Sequence, residues 1–253
     1  MVVSSMQRDQ HFMTDLQTIR RIVSAAEIRR NETVLEIGAG KGFLTKELAK
    51  RAKVIAIEID KKLESDLRKN LQGFKVELIF GNALKILKRK GIEFDKIVSN
   101  IPYAISEPLL QEMVFIDFES AVLTLPKSFV DRLKVGPNDK NFSKLSILAR
   151  EFFEIKTLFE VPKDSFHPKP KTTSVAVFLK PSDKKSLFCR VFLHEKMKLK
   201  NAIMRVLFDS RNYTKNQARK HIKSLKFNNL LEKKISGMGT GELKTVWRKL
   251  HKL

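Results

Sequence analysis

Apolar positions along the first 181 residues keep two alternating rhythms. Leu16, Ile19, Ile22, Val23 and Ala26 recur at helical spacing and predict a helix from Asp15 to Ala26. Thr33–Ile37 is a short apolar run that predicts a buried strand. A helix is expected over Phe43–Ala49, a strand over Val54–Asp60, a helix over Lys61–Leu71 and a strand over Val76–Phe80. Further strands are expected at Lys96–Ser99 and Ala121–Leu125, with helices at Pro108–Met113 and Ser143–Phe152. Ile155–Val161 and Ser174–Leu179 have no clear helix between them, which predicts a paired antiparallel edge. Strands alternating with helices give an α/β class, a doubly wound domain with a mostly parallel sheet.

The rhythm changes after the polar stretch Pro181–Ser186, which sets the expected boundary between residues 1–181 and 182–253. Beyond it the pattern predicts only helices, over Leu187–Phe208, Lys215–Leu225, a short Leu230–Ile235, and Gly241–Leu250. Charge sharpens this division. The chain carries a net +22, and residues 182–253 hold 19 Lys and Arg against 5 Asp and Glu. A basic helical domain appended to a milder one implies a nucleic-acid partner, because neutralising phosphates releases counterions. Cys189 is alone, so a disulfide framework and a Cys-based metal site are excluded. The five His residues show no paired ligand spacing, and no metal is expected. No run reaches the length of a membrane span and the first residues lack a signal-like apolar stretch, which points to a reducing, cytoplasmic setting.

Two stretches carry candidate chemistry. Ser99-Asn100-Ile101-Pro102-Tyr103-Ala104 ends a buried strand with an amide, an apolar residue, a proline and an aromatic. Proline has no N–H and cannot continue a central strand, so the chain makes a stiff turn that offers carbonyls, one amide and one aromatic face. Such a turn can accept from an exocyclic amine and stack on the ring that bears it. The second stretch is Gly38-Ala39-Gly40-Lys41-Gly42, between a strand and a helix, with Glu58 about 20 residues on. Backbone N–H groups and a helix N-terminus there suit a ligand, and the acid has the spacing of a ribose-binding carboxylate. Gly237-Met238-Gly239-Thr240-Gly241 repeats the glycine spacing but lies between helices. It is read as a loop, with Thr240 capping the next helix.

The first turn is not a dinucleotide fingerprint, since its third glycine comes one residue early. With Glu36 it reads E-x-G-x-G-x-G, which resembles the signature of S-adenosylmethionine-dependent methyltransferases. That turn, Glu58 and Asn100-Ile101-Pro102-Tyr103 lie in one order that resembles the ribosomal RNA adenine N6-methyltransferases, the KsgA-type dimethyladenosine transferases and the related Erm enzymes. Gln10-His11-Phe12-Met13-Thr14-Asp15 is similar to the family's Q-N-F-L-x-D segment, and Val161–Ser174 to its V-P-x-x-x-F-x-P-x-P-K-V-x-S segment. The resemblance covers roughly residues 7–181 and weakens in the basic tail.

The resemblance implies a Rossmann-like S-adenosylmethionine-dependent methyltransferase domain with a small C-terminal helical domain that binds RNA. It implies that His11, Met13, Glu36, Gly38, Gly40 and Gly42 border the cofactor, that Glu58 holds its ribose, and that Asn82 meets its adenine amine. Asn82 stands where the family usually has Asp, His11 where it has Asn, and Met13 where it has Leu. Asn100 and the Ile101 carbonyl, at the Pro102 turn, are expected to accept from the target amine. Tyr103 and Phe166 are expected to stack on the two faces of a flipped-out adenine. A lone Phe is usually core, but the Pro168-Lys169-Pro170 that follows Phe166 favours a rigid loop at a site. No general base is required, because the product ammonium is acidic. Lys169, Lys171, Lys196, Lys198 and Lys200 are expected to contact phosphates of ribosomal RNA or of a pre-ribosomal subunit, with the protein acting as a monomer. Two other readings stand beside this one: an rRNA-binding assembly factor with weak or no catalysis, and a DNA adenine N6-methyltransferase.

Overall fold

The computed structural model describes residues 11–89, 91–183, 186–211 and 213–251. Gln10 and the linker residues Lys184 and Lys185 lie outside the described residues. The chain divides into two compact units. One comprises the residues up to Leu133 together with Phe153–Pro181; the other comprises Lys134–Phe152 together with Ser182 onward.

The first unit begins with β1 (Phe12–Met13), α1 (Leu16–Ala25), β2 (Thr33–Ile37), α2 (Phe43–Ala49) and β3 (Lys53–Glu58). It continues through α3 (Glu64–Asn70), β4 (Val76–Phe80), α4 (Ala83–Leu87), β5 (Lys96–Asn100), α5 (Ser106–Met113), β6 (Ser120–Pro126) and α6 (Lys127–Leu133). After α7 (Lys144–Phe152), which belongs to the second unit, it closes with β7 (Phe153–Val161), β8 (Phe166–His167) and β9 (Ser174–Pro181).

Seven strands form one sheet in the order β4-β3-β2-β5-β6-β9-β7. The first five run parallel, and β9 pairs antiparallel with both β6 and β7, as the missing helix between the last two strands predicts. The parallel strands are apolar throughout because helices cover both faces. Val34, Leu35, Val54, Ala56, Ile97 and Val98 are essentially inaccessible to water. The strand order reverses between β2 and β5, and a crevice opens at the carboxyl ends of strands at such a point. The ladder between these two strands ends at Leu35↔Ile97. Beyond it a side chain takes over. Ser99 Oγ accepts from the Ile37 N–H (3.3 Å) and donates to the Ile37 carbonyl (2.5 Å).

A second, two-stranded sheet pairs β1 with β8, antiparallel, Phe12 opposite His167 and Met13 opposite Phe166. Thr14 N donates to the Ser165 carbonyl (2.9 Å), and Asp15 caps α1 by accepting from Gln17 N and Thr18 N. Lys96 is a buried charge in β5. Its Nζ donates to the Ala26 (3.2 Å) and Glu27 (2.8 Å) carbonyls and pairs with buried Glu32 at 3.2 Å. It therefore ties the C-terminal end of α1 to the sheet.

The second unit contains α7, α8 (Leu187–Phe192), α9 (Leu199–Arg211), α10 (Lys215–Ser224) and α11 (Thr240–Leu250). Three differences from the sequence expectations lie here. The expected boundary at 181/182 matches one junction, but Lys134–Phe152 also joins this unit. Glu151 of α7 explains part of that, accepting from Trp247 Nε1 (2.8 Å) and Ser186 Oγ (2.7 Å). The expected helix over 187–208 is broken into α8 and α9. No Gly or Pro breaks it. Backbone groups of 195–199 bond instead to the 233–236 segment: Leu199 N to Lys233 O, Ile235 N to Met197 O, and Ser236 N to Glu195 O. Gly239, not Thr240, is the N-cap of α11, and its N–H donates to Glu242 Oε2 (3.2 Å). Burial in this unit pushes the Cys189 thiol up to about 12, which leaves it a core residue without nucleophilic character at neutral pH.

Candidate active site

The carboxyl ends of β2, β3 and β5 enclose a cavity of about 220 Å³ in the first unit. The glycine turn forms its floor. Gly38, Gly40 and Gly42 have φ of +83°, +57° and +82°, a region that L side chains rarely adopt. Space forbids a side chain as well. A Cβ on Gly40 would lie 2.8 Å from Phe12 Cδ1, and one on Gly38 would lie 3.3 Å from Pro102 Cγ. The turn is therefore pressed against both β1 and the proline turn.

Two acids stand at the adjoining strand ends. Glu58, at the tip of β3, is 4% exposed. Its Oε2 accepts from Gly40 N (2.8 Å) and its Oε1 from Ile59 N and Asp60 N (2.8 Å each). Glu36 in β2 is 1% exposed, and its Oε2 has no hydrogen-bond partner. Burial pushes its carboxyl up to about 8, and the Glu58 charge reinforces the shift. Glu36 therefore holds a proton at neutral pH.

Asn82 follows β4 and lines the cavity. It is also the N-cap of α4, with Oδ1 accepting from Lys85 N (3.2 Å). An Asp would keep a second oxygen free after capping, whereas Asn keeps an amide donor.

The proline turn forms the remaining wall. Ile101 N donates to the Thr124 carbonyl (3.2 Å), which anchors the turn on β6. Asn100 Nδ2 donates to the His11 carbonyl (3.1 Å). Its Oδ1 is buried without a partner, an acceptor left open at the cavity wall. An unsatisfied buried acceptor costs about 1–3 kcal/mol. Tyr103 is half-buried and hydrogen-bonds through its hydroxyl to Ser174 Oγ, which fixes the ring. Burial raises its phenol above the ordinary range. The His11 ring lies 5.8 Å from the Tyr103 ring at 42°, and His11 Nδ1 is 2.8 Å from the Pro168 carbonyl.

The family model of ribosomal RNA adenine dimethylase matches residues 5–236. The chain belongs to the ribosomal RNA adenine dimethylase family. A "probable ribosomal RNA small subunit methyltransferase A" of Thermococcus sibiricus is 38% identical over 83% of this chain and 73% of its own length. One of Methanococcus aeolicus is 33% identical over 96% and 95%. A crystal structure of a dimethyladenosine transferase from Plasmodium falciparum superposes with TM-score 0.64, 28% identity, and 94% and 97% coverage. The 23S rRNA methyltransferase ErmE, at TM-score 0.59 and 22% identity, shares the fold.

In this member of the dimethylase family the cavity gathers His11, Met13, Glu36, Gly38, Gly40, Glu58, Asn82, Asn100, Ile101, Pro102 and Tyr103. Gly42 shapes the turn from behind, against Leu67. Phe166 is placed otherwise than the sequence expectation. It does not line the cavity; it is 2% exposed and packed in the core cluster with Met13, Ile22 and Val161. Pairing of β8 with β1 turns it inward. Phe12 and Ser99 also shape the site, a role that the sequence motifs containing them do not assign. Their signals were the strand pairing of a two-residue segment and a hydroxyl on a buried strand, neither legible from periodicity. The expected phosphate contacts are all exposed lysines. Lys169 is paired with Asp164 (2.6 Å), Lys171 accepts from Lys163 Nζ through its carbonyl, Lys198 and Lys200 share Glu232 (2.9 and 3.7 Å), and Lys196 is exposed. Among the described residues no cluster of His, Cys, Asp and Glu could hold a metal, and no helix is long and apolar enough to cross a membrane.

Proposed function

We propose that the cavity binds S-adenosylmethionine and an extruded adenine of ribosomal RNA, and transfers methyl groups to the adenine N6. The open Asn100 Oδ1 carries this reading. It is a buried acceptor, fixed by its own amide, beside an aromatic ring fixed by its own hydroxyl. An exocyclic amine satisfies the first and its ring plane the second.

The residues present fit the cofactor. The glycine turn presents bare backbone at Gly38 and Gly40 along the cavity, and Glu58 stands at the strand tip where ribose hydroxyls are held. When bound, S-adenosylmethionine supplies an electrophilic methyl on a sulfonium. The chain supplies position. Asn100 Oδ1 and the Ile101 carbonyl accept the two amine hydrogens and draw the nitrogen lone pair out of conjugation. Tyr103 holds the base plane, returning about 1–3 kcal/mol of stacking against the cost of extrusion. Orientation of this kind supplies a large share of acceleration in a bimolecular transfer. Lys196, Lys198 and Lys200, within the basic residues 182–253, give the second unit a surface for rRNA phosphates, with Lys169 and Lys171 serving the first unit.

Incubation with labelled S-adenosylmethionine and under-methylated ribosomal RNA tests the proposal. Label is expected in N6-methylated adenine with the wild type and lost by at least about a hundredfold with Asn100→Ala. Equal absence of label in both, with cofactor binding intact by calorimetry, would leave the assembly-factor reading. Preference for DNA over RNA in competition would leave the DNA reading.

A further inference from the structure

The wall next to Asn100 holds a side chain that the proposed transfer does not yet use. His11 lines the cavity, and its main-chain carbonyl already fixes the Asn100 amide. Its Nδ1 lies 2.8 Å from the Pro168 carbonyl. A carbonyl can only accept, so Nδ1 carries the hydrogen. A neutral imidazole with Nδ1–H has its lone pair on Nε2. That is the less common tautomer of free histidine, and here the fold selects it.

Methyl transfer forms an N–C bond at the amine and breaks the donor's S–C bond, whose electron pair stays on sulfur. The product ammonium is acidic and needs no strong base, but its surplus proton must still reach an acceptor. Asn100 Oδ1 is an amide oxygen and a poor base. Of the two acids on the cavity, Glu58 already receives three backbone N–H groups, and Glu36 is protonated. We propose that His11 Nε2 accepts the proton leaving the adenine amine, with the Pro168 carbonyl holding Nδ1–H and stabilising the imidazolium that results. His11 is partly exposed and can return the proton to water.

The inference rests on the methyltransferase reading above. Charged and titratable groups around His11 come from each neighbouring element. Tyr103 follows β5, Glu36 precedes the glycine turn and Lys41 lies within it, Glu58 ends β3, and His167 lies opposite Phe12 in β8. Lys169, next to Pro168, is neutralised by Asp164. Tyr103 and Glu36 are both shifted toward their protonated forms, so neither competes as an acceptor near neutrality.

Two measurements test it. In the protein without ligands, ring nitrogen shifts of His11 by NMR should report the Nδ1–H tautomer; an Nε2–H tautomer overturns the proposal. In single-turnover methylation, the wild-type rate should fall as pH is lowered. His11→Asn, whose amide can still donate to the Pro168 carbonyl, should lose that dependence and about tenfold in rate at saturating cofactor. His11→Ala should regain rate on addition of free imidazole. A His11→Asn profile that follows the wild type, in an enzyme that methylates, overturns this inference alone. Absence of methylation in the wild type overturns the reading beneath it.

Discussion

A methyl group on Gly38 would stand 3.3 Å from the Cγ of Pro102. The glycine turn and the proline turn, 64 positions apart in sequence, are thus in contact at the floor of one cavity. Gly38→Ala meets two penalties. A left-handed conformation costs about 1–2 kcal/mol for a residue with Cβ, and the new atom pushes the proline turn away. Stability should fall by that amount in chemical denaturation. Cofactor affinity by calorimetry should fall by more than about tenfold, since Asn100 shifts along with Pro102. An unchanged affinity would show that the two turns move independently.

Glu36 makes stability depend on pH in a direction opposite to that of most carboxylates. Its ordinary value of 4.5 is raised to about 8 on folding. Between those values the folded state holds a proton that the unfolded state has released, so stability falls as pH rises from about 4.5 to about 8. The slope from this group is at most about 1.4 kcal/mol per pH unit. Glu36→Gln, which keeps the shape and cannot ionise, should flatten this part of the profile and be the more stable protein above pH 8. Parallel profiles for variant and wild type would remove the assignment.

Asn82 spends its only side-chain oxygen on the cap of α4. Asn82→Asp supplies a second, charged oxygen for an adenine amine while keeping the cap. Charge-assisted hydrogen bonds are about twice as strong as neutral ones. Cofactor affinity should rise by about tenfold, readable by calorimetry. A loss of affinity would mean that the amide donor of Asn82 is the group in use.

Lys96 and Glu32 are both buried, 3.2 Å apart. Lys96→Met leaves the buried carboxylate with Arg29 alone and strands two carbonyls at the end of α1, at an expected cost of about 3–5 kcal/mol. Adding Glu32→Leu should recover part of it, since an apolar pair of similar volume replaces an ion pair at little cost. Denaturant titration of single and double variants measures the difference.

Much of the first unit was legible because its strands are buried on both faces and read as apolar runs, while its helices keep a 3.6 period. Glu36, Glu58 and Asn100 could be named because each sits where such a run ends. What periodicity does not show depends on partners far away in sequence. The two residues of β1 have no period to detect. Phe166 looked like a stacking residue beside Pro168, yet its strand pairing with Met13 points it into the core. The break at 193–198 has no Gly or Pro because distant backbone groups at 233–236 cause it.

The clasp between β1 and the segment around Pro168 joins residues 157 positions apart. A chain emerging from synthesis has both turns of the site long before it has this clasp. Until Pro168 is available, the His11 ring has no carbonyl to hold it, and the segment that fixes the Asn100 amide has no strand to lie against. Formation of the site is therefore coupled to completion of the sheet, through contacts of high sequence separation that form slowly. An unfinished chain can hold the outline of the cavity, but its chemistry must wait for the last strands.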